Sequence, residues 1–178
     1  MNKTLIIQTS PCHTASTFLV NAIYGLIPEL FNKKIIGIWD DNFETYFENI
    51  IVVKCHNIDI DELIEKYNKQ YKLLFICSER QEMNYIINEK YKKYNNVIMF
   101  DFNELNETKD NSLTQIVDNI YYKVNNLFNN SIELDKTKCI ERIQLMNARY
   151  EEIKNKPFTY IDDFFEIHGS HRNRTNRC

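Results

Sequence analysis

The sequence predicts an α/β fold: a parallel sheet flanked by helices on both faces. Three observations predict it. Short apolar runs recur along the chain, with helix-period segments between them. The run Lys72–Cys77 is nearly all apolar, as a strand covered on both faces should be, which places it centrally in the sheet. The first run, Leu5-Ile6-Ile7, breaks into the turn Thr9-Ser10-Pro11, and Thr14 to Thr17 then lead into an apolar helix.

The elements follow in order. Thr4–Gln8 reads as the first strand and Ala15–Leu30 as the first helix. Lys34–Trp39 is a second strand, Phe43–Glu48 a short helix and Ile50–Lys54 a third strand. Ile60–Tyr71 has helical periodicity, with Asp59 or Asp61 able to cap it. Lys72–Cys77 is the fourth strand, Gln81–Lys93 a helix and Asn96–Phe100 the fifth strand. Ser112–Leu127 and Lys136–Ile153 close the pattern as two helices. After Pro157 the chain turns aromatic and then basic. Residues 1–178 read as one domain, with 158–178 as a flexible basic tail.

Composition narrows the function. A net charge of −3 argues against a nucleic-acid binder. No stretch has the length of a membrane span, and the N-terminal apolar run is too short for a signal peptide. Five cysteines, an odd number without a small secreted framework, point to reduced thiols and a cytoplasmic location.

Ligands of such sheets bind beyond the carboxyl ends of the strands. The first strand delivers Ser10 to Thr17 there, the third Lys54, Cys55 and His56, the fourth Ser78 and Arg80, and the fifth Asp101. A helix N-terminus carries unpartnered N–H groups and partial positive charge. Joined by lysine, histidine and arginine, it makes a site for a ligand with several anionic groups. The turn is not a Walker A loop, because it has no lysine and no glycine precedes Gly25. It is not a cysteine phosphatase loop either, because no arginine follows Cys12 closely.

Four segments, in order, resemble the sulfotransferases that use 3′-phosphoadenosine 5′-phosphosulfate (PAPS), a family with a P-loop-NTPase-like fold. TSPCHTASTFL resembles the 5′-phosphosulfate loop, and IIVVKCHNID the Lys-Ser/Thr-His segment of a later strand. YKLLFICSERQEMNYIIN resembles the strand and helix of the 3′-phosphate site, and NVIMFDFNELNET the strand after it. The resemblance implies sulfuryl transfer from PAPS to a hydroxyl or amine acceptor, without a metal. His56 would be the base, Lys54 and His13 would carry charge toward the leaving group, and Thr14, Ala15, Ser16 and Thr17 would hold the phosphosulfate. Arg80 would clamp the 3′-phosphate, with Asn88 at the family's serine position and Arg172 in the C-terminal basic loop. Two departures stand out: His13 replaces the loop's permanent cation and Ala15 its glycine.

Three other readings stay open. A non-catalytic binding module on the same scaffold would keep the nucleotide and lose the chemistry. A zinc protein would use the pairs Cys12-His13 and Cys55-His56, with Cys77 and His168-x-x-His171. A nucleotide kinase would need a lysine that the loop lacks.

Overall fold

The computed structural model describes residues 3–11, 13–38, 49–56, 59–108, 111–129 and 131–169. Strands β1 (Lys3–Thr9), β2 (Ile36–Gly37), β3 (Ile50–Cys55), β4 (Tyr71–Glu79) and β5 (Val97–Asp101) form one parallel sheet in the order β2-β3-β1-β4-β5. β1 holds the middle position, and β4 is interior beside it. The sheet is α/β as the sequence predicts.

Side chains alternate across the sheet with the period of two that extended backbone imposes. Ile6, Val52, Leu74 and Ile76 face the helices α1 (Ser16–Leu26), α3 (Leu113–Leu127) and α4 (Lys136–Ile153). Leu5, Ile7, Val53, Phe75 and Cys77 face helix α2 (Ile60–Tyr67) and Tyr91. α1 is buried nearly all round. Its Gly25 explains how α4 comes so close, since a Cβ there would lie 2.6 Å from the Cys139 Cα.

Helix ends follow local chemistry. Ser112 and Gln115 form a reciprocal capping box at α3, and Asp135 accepts from the Lys138 N–H at α4. α2 starts on Asp59, whose carboxylate accepts from the Asp61 N–H at 2.8 Å. It stops at Tyr67, so that Tyr71 already begins β4. α1 ends at Leu26, and Pro28 starts a separate 3₁₀ turn over Pro28–Leu30.

The expected helix Gln81–Lys93 does not form. Two 3₁₀ turns stand there, Gln81–Met83 and Tyr91–Lys93, with Asn84 left-handed at φ 55°. Between them the burial alternates. Met83, Tyr85 and Ile87 are half-buried, whereas Asn84, Ile86 and Asn88 are exposed. That is a period of two, and the cluster Tyr85-Ile86-Ile87 never had a helical stripe. The second strand is shorter than Lys34–Trp39, and its last expected residue lies outside the described residues, as does the expected helix Phe43–Glu48.

The start of the expected tail is a docked hairpin. β6 (Ile161–Asp162) pairs antiparallel with β7 (Ile167–His168), and the segment is latched to α1 and α4. Asn21 Nδ2 donates to the Phe165 carbonyl at 2.9 Å, and the Ile35 N–H to that of Phe164 at 3.2 Å. The fully buried Arg142 donates to the carbonyls of Lys33 and Phe164, to that of Phe31 and to Asn21 Oδ1. The aromatic residues after Pro157 supply the docking surface, with Phe165 and Ile167 buried. The basic residues His171, Arg172, Arg174 and Arg177 lie outside the described residues. Among the described residues no helix is long and apolar enough to cross a membrane.

Candidate anion site at the sheet's carboxyl edge

Topology sets where a crevice can open. The chain leaving β1 turns into α1 on one face of the sheet. The chains leaving its neighbours β3 and β4 turn to the other face, toward α2 and Tyr91. A crevice opens where such connections diverge. Here it opens at the tip of β1.

The loop after β1 is held by its own side chains. Ser10 Oγ accepts from the Ser78 N–H at 2.8 Å and lies 3.0 Å from Ser78 Oγ. Gln8 Nε2 donates to the same hydroxyl at 2.8 Å. Thr14 Oγ1 donates to the Pro11 carbonyl at 2.8 Å and sits 3.0 Å from Ser78 Oγ. Thr14 is fully buried, and its hydroxyl is engaged within the loop. His13 and Ala15 are both left-handed, at φ 65° and 62°. Ala15 therefore takes the conformation that favours glycine, and takes it with a Cβ. It is the N-cap of α1 and offers no side-chain cap, so the first N–H groups of α1 depend on other acceptors.

A cavity of about 830 Å³ opens above this helix start. His13, Ala15, Ser16 and Thr17 line it from the loop, and Arg80 lines it from the end of β4. The Ser16 hydroxyl has no protein partner among the described residues. Arg80 is placed by its backbone, which bonds that of Tyr85 in both directions at 2.9 and 3.1 Å. Its guanidinium lies 4.0 Å from the Phe102 ring centre and makes one long contact, 3.4 Å, with Glu82. Its other guanidinium N–H groups have no hydrogen-bond partner among the described residues. Met146 and Tyr150 of α4 and Ile167 of the hairpin add apolar wall. A volume of this size suits a cofactor-sized ligand.

His56 and Lys54 stand at the end of β3. His56 Nδ1 lies 3.0 Å from the Ser10 carbonyl oxygen. A carbonyl only accepts, so Nδ1 carries the proton and Nε2 keeps its lone pair in the neutral ring. Burial pushes the His56 pKa below the ordinary histidine value, and the charge of Lys54 adds to that, against the bond to Ser10 and the charge of Glu166. Lys54 is buried and donates to Thr17 Oγ1 at 3.0 Å. Its Nζ also lies 2.6 Å from Glu166 Oε2, close in distance but out of hydrogen-bond alignment.

The structure thus brings His13, Ala15, Ser16, Thr17 and Arg80 into one cavity, with Lys54 touching Thr17. His56 lines neither that cavity nor the smaller depression of about 270 Å³ beside it. Asn88 lines the smaller depression with Thr9, Ser10 and Pro11, exposed and accepting from the Lys90 N–H. It does not share a helix with an element near Arg80, because that helix is absent. Arg172 lies outside the described residues. Sequence reasoning missed Glu166, whose signal was hidden in a stretch read as tail, and the cavity wall from Phe102, Met146 and Tyr150. For zinc, Cys55 and Cys77 are buried toward α2, and no group of three potential ligands occurs among the described residues.

Comparison with protein-family models finds no match to this chain, and comparison with curated proteins finds none either.

Proposed function

We propose that this chain is a sulfotransferase-like protein that binds PAPS at the tip of β1 and passes its sulfuryl group to a hydroxyl or amine acceptor. One observation carries the reading. The helix start Ala15–Thr17 and Arg80 line the same cavity at the sheet's switch point, as two anionic ends of one ligand require. The 5′-phosphosulfate would meet the N–H groups of α1, the Ser16 hydroxyl and His13. Arg80 would take the 3′-phosphate in a charge-assisted pair.

The chemistry follows from the same residues. The acceptor oxygen or nitrogen attacks sulfur as the bond from sulfur to the bridging phosphate oxygen breaks. The proton leaves the acceptor for a base, and 3′-phosphoadenosine 5′-phosphate departs with the electron pair. His56 lies outside the cavity and would serve as base for an acceptor that reaches the end of β3, where its Nε2 is the unprotonated nitrogen of a ring held by Ser10. His13 would stabilise the charge that grows on the bridging oxygen.

A second reading is favoured by a specific observation. Lys54, which the transfer reading directs at the leaving group, is paired with Glu166. A binding module that holds the nucleotide without turning it over fits that pairing. Transfer of labelled sulfate from PAPS to a panel of phenol, sugar and amine acceptors, and to water, separates the two. Label moved by the wild type and lost in His56→Ala supports transfer. Bound nucleotide without moved label, in the wild type and in His13→Lys, supports the module.

A further inference from the structure

Glu166 is costly to keep where it is. Its backbone is left-handed at φ 54°, a region where asparagine and glycine sit with less strain. The hairpin that carries it is fixed on both sides, by Asn21 and Arg142 on the carbonyls of Phe165 and Phe164 and by the Gly169 N–H on the Tyr160 carbonyl at 2.9 Å. The outcome is a carboxylate delivered against Lys54 Nζ at 2.6 Å, where that ammonium also bonds Thr17 Oγ1. Thr17 lies in the first turn of α1 and lines the cavity, and the pair, which does not itself line it, meets the cavity through Thr17. Glu166 itself keeps 21% of its side-chain surface exposed, whereas Lys54 keeps 4%.

We propose that Glu166 sets the anion specificity of the crevice: its carboxylate holds the place beside Lys54 and Thr17 that an anionic group of a ligand would otherwise take. The inference rests on the reading of the crevice as an anion site. A buried ammonium needs a negative partner. The protein supplies that partner from its own C-terminal segment, 112 residues away in sequence. The wild-type crevice therefore selects ligands whose charge gathers at Arg80 and the loop, and turns away a further anion at Lys54. Neutralising Glu166 converts the position into an anion subsite.

Inorganic sulfate, titrated by calorimetry at constant ionic strength, is the probe. Glu166→Asn removes the charge with the residue type best suited to left-handed backbone, and Glu166→Gln keeps the side-chain length. Both are expected to bind sulfate about tenfold to a hundredfold more tightly than the wild type, the range of one charge-assisted hydrogen bond. Adding Lys54→Met to either variant should abolish the gain. Folded Glu166→Asn with unchanged sulfate affinity overturns the proposal, as does a gain that survives Lys54→Met. Unfolding of both variants overturns it as well, because the carboxylate would then serve the fold. A sulfate gain without any binding of 3′-phosphoadenosine 5′-phosphate would leave Glu166 in this role and remove the nucleotide reading. Nucleotide binding without the gain would do the reverse.

Discussion

His56 donates its Nδ1–H to the Ser10 carbonyl at 3.0 Å, so the nitrogen left to take a proton is Nε2. The bond ties the end of β3 to the loop after β1, two segments 46 residues apart in sequence.

We predict that His56→Ala lowers sulfuryl transfer by about 10²–10⁴-fold, the range of a lost general base. Nucleotide affinity should stay within a few fold, because a base meets the acceptor's proton and not the donor's phosphates. Single-turnover rates and calorimetry on the same preparation check this. Wild-type turnover in the variant would move the base elsewhere.

The lowered His56 pKa gives a sign for pH. The unfolded chain takes up this proton near pH 6.5, whereas the folded chain resists it to lower pH. The unfolded state thus binds more protons in that window, and stability falls as pH drops through it. Above the ordinary value the contribution is fully present. Thermal melts from pH 7 down to pH 5 should show a steeper loss for the wild type than for His56→Gln. Equal slopes would contradict the shift.

Arg80 separates ligands by their 3′-phosphate. Arg80→Ala should weaken 3′-phosphoadenosine 5′-phosphate by ~1.5–3 kcal/mol, the worth of a hydrogen bond to a charged group. Adenosine 5′-phosphosulfate, which lacks that phosphate, should lose far less. Equal losses would show Arg80 acting through its Phe102 contact or the fold.

Ala15 tests the loop backbone. A left-handed residue with a Cβ carries a strain of roughly 1–2 kcal/mol, whereas glycine adds unfolded-state entropy of about 0.5–1 kcal/mol. Ala15→Gly should therefore leave the melting temperature unchanged or raise it, and Ala15→Val should lower it. A fall with glycine as large as that with valine would contradict a left-handed Ala15.

Much of the fold was legible because the strands carry the signal themselves. Leu5-Ile6-Ile7 and Leu73 to Cys77 are apolar on both faces, as strands of a sheet covered on both sides require. α4 is legible to the residue, Lys136–Ile153, from its helical periodicity. The stretch 81–93 failed because apolar residues were present without a helical period. In the site, Arg80 and the loop were legible from their places after strands. Glu166 was not, since its partner Lys54 is reached only by a hairpin that folds back over the chain. Nor could sequence show that Thr14 bonds Ser78 and Pro11 instead of facing the cavity.

Calorimetric titration of the wild type with 3′-phosphoadenosine 5′-phosphate tests the central claim most directly, because this stable product needs no acceptor. We predict one binding site per chain and a rise in melting temperature, since a ligand that binds only the folded state adds about 2.7 kcal/mol at a hundredfold excess over its dissociation constant. The absence of both heat and thermal shift at millimolar ligand, with folded protein, would contradict it.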